Sequence, residues 1–464
     1  MFYRKSLLTK TARTSEISFD DFSGGMNPAL YNISASHARL CFNVEGKDGA
    51  LKQWKGFDRP RLGASVFYPE AQEVFCPREV CKIAAAGKDG KIYVFKGETF
   101  EEICSFSGKV CFADFKKDGN YCLLIFDDSG IRIYDGQSVS TVTSEVKIER
   151  ATVFKERIFG ISREDDTKIY FSEPLDCLNW ASSFEEGGFV CFDDNFGRVF
   201  DIGVFEDRLY AFGNGKIAAL YAGLPQSEFE VEKIFASGGR TVKNSVSNCG
   251  CGLVFLASDG LYLFDGSRSE KICGELDGFI SGKHAVSVCD GSNYYLACLC
   301  DFGDHQKVLC EKGSFFNNAL ICVNTEDFSV KIARGVDISS LALFEDQEEN
   351  SVLFAERGQI GYLSESGCYF GQNLPKIWRT ACSDLGYPTS KKCLKNLFLL
   401  TTSDVEVKIM ADGVPHSFSV KGKETPQKVK IGVSGVNLRI SFETNSPKFL
   451  ILKPTFTMEI YKEG

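Results

Sequence analysis

The sequence predicts an all-β chain: a six- or seven-bladed β-propeller followed by a C-terminal β-sandwich-like domain. Three observations carry this expectation. Forty Phe and sixteen Tyr against four Met favour strands over helices. One hairpin unit recurs through the middle of the chain. The strands of that unit are apolar at consecutive positions, as strands covered on both faces are.

The unit is an apolar strand, a turn ending in Gly, an aromatic-rich strand and a second Gly. It is clearest at Ile83–Phe100, Tyr121–Val139 and Leu253–Ile272, and weaker at Arg157–Pro174, Arg208–Gly223, Tyr294–Gly313 and Val352–Gly367. Asp89-Gly90, Ser129-Gly130 and Asp259-Gly260 supply the positive φ that tight hairpins need. Runs such as Ile92-Tyr93-Val94-Phe95 and Leu261-Tyr262-Leu263-Phe264 do not alternate, so small sheets stacked face to face are expected. The turn glycines fall at 90, 130, 215, 260 and 358, with weaker turns near 166 and 306, which is the spacing of four-stranded blades. A pair of β-sandwiches is the competing architecture.

Beyond Asn373-Leu374-Pro375 the pattern changes to strict alternation, as in Val405–Ile409, Lys428–Ile431, Asn437–Ser441 and Phe449–Leu452. Period-two alternation with one wet face suits a sandwich. The expected division is residues 1–61 as an N-terminal extension and docking segment, 62–374 as the propeller and 375–464 as the sandwich. Net charge is −9 and uneven: residues 1–61 carry +4, residues 376–464 carry +6 and the middle about −19. An acidic body argues against nucleic acid gripped by that body, since neutralising phosphates takes Lys and Arg. Met1–Thr14 holds Arg4, Lys5, Lys10 and Arg13 around only Leu7-Leu8, so a signal peptide and a membrane span are not expected.

No catalytic, cofactor-binding or metal-binding constellation is expected. The sequence has no G-x-S-x-G elbow, H-E-x-x-H or P-loop. The carboxylate doublets Asp127-Asp128, Asp165-Asp166, Glu185-Glu186 and Asp193-Asp194 point to opposite strand faces or sit in turns. Nineteen Cys with no C-x-x-C, and four isolated His (His37, His284, His305, His416), fit reduced, packed thiols better than zinc. On this view Cys122, Cys191, Cys322 and the Cys249/Cys251 and Cys298/Cys300 pairs are strand residues. Gly239-Arg240 with Lys243 is a single basic cluster beside a turn, able to contact an anion.

Phe19–Phe57 departs from the blade repeat. It holds the run F-x-G-G-M-N (Phe22, Gly24, Gly25, Asn27), a segment ending in Asn43-Val44, and G-A-L-x-x-x-x-G-F (Gly49, Leu51, Gly56, Phe57). Ala35–Leu40 suits a short helical turn capped by Ser34, and Asp48-Gly49 a hairpin with Leu51 and Trp54 packed below. This order resembles the opening of propeller proteins from tailed-bacteriophage structural gene clusters, among them tail-nozzle and DNA-stabilisation proteins of the virion neck and tail. Glu156–Phe159, Ile169–Glu173, Asn179-Trp180 and Phe255–Gly266 also look familial. Such openings often carry Arg before the final Gly-aromatic pair, where this chain has Trp54-Lys55.

The resemblance implies a virion structural protein made in a host cytoplasm. It would self-associate in a ring or with other virion proteins, with DNA passing an acidic wall without tight binding. Phe22, Gly24, Gly25, Asn27, Asn43, Gly49, Leu51, Trp54, Gly56 and Phe57 would form its assembly motif. Two rivals stand beside it: a propeller that binds a protein or glycan, for host recognition or scaffolding, and a glycan-active enzyme with two carboxylates roughly 5–10 Å apart.

Overall fold

A computed structural model describes residues 12–28, 36–60, 62, 66–142, 146–180, 187–222, 229–302, 317–345 and 350–461. The chain divides into two compact units. One comprises Met1–Phe57, Ser329–Arg334 and Ser364–Gly464; the other comprises Asp58–Phe328 and Gly335–Leu363. The expected three-part division is corrected here. The N-terminal segment is not a separate extension, because its strands join the same sheets as the C-terminal ones.

The second unit is a seven-bladed β-propeller. Its seven innermost strands are Ala71–Phe75, Cys111–Lys117, Ile148–Phe154, Asp201–Phe205, Ser247–Asn248, Ile280–Cys289 and Ile338–Glu345. Each starts an antiparallel meander running outward, as in blade 1, which continues through Ile83–Gly87, Lys91–Lys96 and Thr99–Ser105. Six of the seven repeat copies supply the second and third strands of one blade; Tyr294–Gly313 supplies only the second strand of blade 6, Asn293–Cys300, whose third strand is Ala319–Asn324. The turn expected near residue 306 lies outside the described residues.

Burial explains the apolar runs. Ile83 and Ala85 belong to a cluster shared with blade 7, whereas Ala84 and Ala86 belong to one shared with blade 2. Leu123 and Ile125 face blade 1, and Leu124 and Phe126 face blade 3. Successive side chains thus enter two different interfaces, so both must be apolar. The ring closes through two serines of blade 7. Ser339 Oγ donates to Gln72 O at 2.7 Å, and Ser340 Oγ accepts from Val74 N at 3.2 Å. One detail differs from expectation: at Asp89-Gly90, Ser129-Gly130 and Asp259-Gly260 only the glycine has positive φ, as at Gly90 with φ 79°.

The other unit is a two-sheet β-sandwich. One sheet runs in the order Val44–Lys47, Ala50–Gln53, Leu450–Tyr461, Lys391–Thr401, Lys423–Gly435, with Ala12–Ser18 also paired to Leu450–Tyr461. The second runs Leu40–Phe42, Lys376–Arg379, Leu438–Thr444, Val405–Ala411, Val414–Val420. Alternation is explicit in Val405–Ala411, where Val405, Val407, Ile409 and Ala411 are buried and the residues between them are not. An aromatic cluster fills the space between the sheets: Phe19 lies 5.4 Å from Trp378 and 6.4 Å from both Phe442 and Phe456. Edge-to-face aromatic pairs of this kind add to the area they bury. The expected helical turn at Ala35–Leu40 is not found in its described part. Ala38 instead bridges Met26 and Leu40 opens a strand, because Ala38 N–H and C=O are spent on Gly25 and Asn27. Ser34 and Ala35 lie outside the described residues.

Candidate functional site: the propeller channel

The innermost strands enclose a channel with a cavity of about 1540 Å³. Every blade is entered by its innermost strand in the same sense, so the strand starts share one mouth of the channel. Four of these strands carry bulges near that mouth. The extra residues are Gln72, Glu149, Ser339 and the trio Gly282-Lys283-His284. A bulge re-aims side chains that a regular ladder would send into the blade. The result is a polar inner surface on strands whose neighbours are packed with Leu, Ile and Phe.

Among the described residues, eight Lys/Arg against four Asp/Glu line the cavity, although the propeller segment as a whole is strongly acidic. The imbalance concentrates at the mouth with the strand starts, which gathers Lys109, Arg150, Arg240, Lys243 and Lys283 against Glu73 and Glu149. Two of these cations have partners. Lys243 meets Glu149 at 2.7 Å, and Arg150 meets the buried Asp201 at 3.2 Å. Asp201 also accepts Val246 N–H at 3.1 Å and Ile202 N–H at 3.0 Å, tying blades 3, 4 and 5 together. Arg240 lies over the Phe200 ring at 5.7 Å.

At the strand-start level of Arg150, Glu73 accepts a hydrogen bond from Ser340 Oγ at 3.2 Å. Burial pushes its carboxyl up to about 7, against the opposing pull of Ser340 and Arg150. Asp114 is raised to about 6 by burial, although it accepts Arg78 N–H at 3.1 Å. The channel therefore gains positive charge as pH falls through 7 and then 6.

The ten N-terminal motif residues lie elsewhere, in the sandwich unit. Phe22, Asn43, Leu51, Trp54 and Phe57 are all buried. Asn43 is left-handed at φ 59°, and its side chain bonds Arg334 O, Pro375 O and Arg334 N. Asp48 and Gly49, at φ 56° and 71°, form the two-residue turn between Val44–Lys47 and Ala50–Gln53. Asn27 N–H bonds Ala38 O at 2.7 Å, and a Cβ on Gly24 would clash with the His37 ring at 2.7 Å. A Cβ on Gly25 would stand 2.7 Å from Val330 O, and one on Gly56 would stand 2.6 Å from Cys368 N. The motif is brought together as internal packing, and its buried side chains offer no accessible assembly surface.

The carboxylate doublets are spent locally. Asp127 is fully buried and accepts Ser107 N–H, Ser129 N–H and Oγ, and Arg132 Nη1 at 2.6–2.9 Å. Burial raises its carboxyl, and these donors more than reverse the effect, leaving it below the usual range. Asp128 pairs with Arg163. Asp165 is lowered to about 2 by Lys168 and Thr167, and Asp193 caps Phe196 N–H at 2.9 Å. Glu185-Glu186 lies outside the described residues. Among the described residues no cluster of three or more His, Cys, Asp or Glu could hold a metal, and no helix is long and apolar enough to cross a membrane. Cys122, Cys249, Cys298, Cys300 and Cys322 are buried, but Cys191 and Cys251 are exposed. Two corrections follow: the strand of Cys191, Gly188–Cys191, is the outermost of blade 3, and Cys249 and Cys251 lie in the turn between Ser247–Asn248 and Leu253–Ala257 instead of in a strand.

Sequence inspection singled out Arg240 and Lys243 but missed Glu73, Arg150, Lys283 and Ser340. Bulges carry no local sequence signature, and the channel residues come from many short stretches far apart in the chain. No protein-family model matches the chain, and no curated protein matches it. Among solved structures, the N-terminal domain of Nup159 superposes with a TM-score of 0.42 at 10% identity, over 67% of this chain and 94% of that chain. A match that loose carries no weight, and the fold rests on the sheets described above.

Proposed function

We propose that the chain is a non-enzymatic structural protein of a tailed-bacteriophage neck or tail, assembling with its own copies or with connector proteins around the DNA path. The observation that supports this most is the joint use of the resembling motifs. F-x-G-G-M-N, the Asn43-Val44 step and Gly49-Ala50-Leu51 seal Phe19–Gln53 into the sandwich unit beside the last strand, and the closing Gly56-Phe57 pairs with Tyr369 in a separate sheet. The first three act as one device, so their order in the sequence carries meaning beyond common Gly turns. Nuclease-treated particles from an induced lysogen, analysed by mass spectrometry, test the proposal. A fixed copy number of this chain per particle is expected. Its absence from particles, together with a strictly monomeric purified protein, would overturn it.

A second reading, a propeller that acts as a binding module, is favoured by the cation-rich channel mouth. It predicts a defined ligand for that mouth whether or not the protein forms rings.

A further inference from the structure

The channel mouth has features that packing alone does not require. Arg240 and Lys283 are exposed, and neither has a carboxylate partner among the described residues. Both are held by the same hairpin tip in blade 5. Arg240 N–H donates to Ser258 Oγ at 3.1 Å, and Ser258 N–H donates to Arg240 O at 2.9 Å. Gly282, next to Lys283, lies so close that a Cβ there would stand 2.7 Å from Ser258 Cα. Neighbouring Asp259 is already engaged by Gly239 N–H at 2.7 Å and Tyr262 OH at 2.8 Å.

An independent observation comes from buried polar atoms on the same wall. The Thr241 hydroxyl, one residue from Arg240, has no hydrogen-bond partner among the described residues although Thr241 is 1% exposed. Asn317 Oδ1 is in the same condition at 3% exposure. Leaving buried polar atoms unsatisfied costs free energy, so such atoms on a cavity wall call for an explanation. An unsatisfied hydroxyl donor on a cavity wall that also carries Arg240 and Lys283 suits an oxyanion.

We propose that this mouth of the channel binds a compact, multiply charged, phosphate-bearing anion, held by Arg240, Lys283 and the Thr241 hydroxyl, with Lys109 across the opening. Arg240 supplies a planar fork matched to phosphate oxygens, and Phe200 beneath it limits the orientations of the guanidinium. Lys243 and Arg150 add field from behind while remaining tied to their own carboxylates. The assignment does not depend on the virion proposal; either can fail alone.

Calorimetric titration of the full chain with inorganic tripolyphosphate in low salt provides the test. One saturable site per chain is expected, weakened at least tenfold by the paired change Arg240→Ala and Lys283→Ala. The unfolding midpoint should not move, since both side chains are exposed. The paired change Lys428→Ala and Lys430→Ala, on the basic sandwich sheet, is the control and should leave the affinity within twofold. No saturation by millimolar tripolyphosphate would overturn the proposal, and so would equal losses in the two paired variants. A 20-base-pair duplex that binds at least as tightly, through the same two side chains, would reassign the mouth to nucleic acid and overturn the small-anion claim.

Discussion

Replacing Asn43 with Ala should unfold the sandwich far more easily than any surface change would. The side chain is 1% exposed and holds three backbone groups: Nδ2 donates to Arg334 O at 3.1 Å and to Pro375 O at 2.7 Å, and Oδ1 accepts Arg334 N–H at 3.0 Å. Three hydrogen bonds at about 1 kcal/mol each come to about 3 kcal/mol, and the stranded Arg334 amide adds about 1–2 kcal/mol more. Asn43 also sits at φ 59°, where Ala costs about 1 kcal/mol and Gly costs nothing. Asn43→Ala should therefore lose about 5 kcal/mol and Asn43→Gly about 1 kcal/mol less. Urea titration followed through the emission of buried Trp54 and Trp378 measures both. A loss under about 1.5 kcal/mol for Ala, or identical losses for Ala and Gly, would refute the assigned role.

Three further outcomes are expected. In the propeller, Leu123→Ala and Leu124→Ala should each cost about 2–5 kcal/mol, because both side chains are fully buried in different interblade clusters; denaturant midpoints showing one of them neutral would contradict face-to-face stacking. Lys376 is buried and donates to Gly367 O at 2.8 Å and Leu374 O at 3.0 Å, and burial lowers its pKa to about 8. The folded state then binds fewer protons than the unfolded chain between pH 8 and the free lysine value, so stability rises with pH through that window. The gap between wild type and Lys376→Met should widen in favour of wild type by up to about 3 kcal/mol from pH 7 to 10, read from unfolding curves at each pH. Glu73, facing Ser340, Arg150 and Cys111, ionises near pH 7 and adds negative charge to the channel. Tripolyphosphate affinity should fall several-fold from pH 6 to 8 in wild type and distinctly less in Glu73→Gln, as calorimetry would show.

The blades were legible because their second and third strands obey a strong local rule. A strand such as Ile83–Gly87, squeezed between two neighbours, can carry nothing polar, and the hairpin after it needs a glycine. The first strand of each blade was not legible. Gln72, Glu73, Glu149 and Arg150 face the channel, and the bulges there break the period that would have marked a strand. Overall charge misled for a related reason. The acidic total describes the propeller segment, while the channel draws its cations from short stretches far apart in sequence. The N-terminal motif was recognisable as a unit, but its partner strand was not, since nothing near Ser18 announces Thr455.

That last pairing sets the order of events during synthesis. Ser18 and Thr455, joined by a 2.7 Å hydroxyl contact, stand 437 positions apart. At ribosomal speeds of about 5–20 residues per second, roughly 20–90 s pass before Ala12–Ser18 can meet its partner. Phe19 and Phe22 emerge early and wait, greasy and unpaired, while seven blades are made. Holdase chaperones that favour aromatic segments would find their target in this interval, and a ribosome stalled late would release a finished propeller with a sticky, half-built companion.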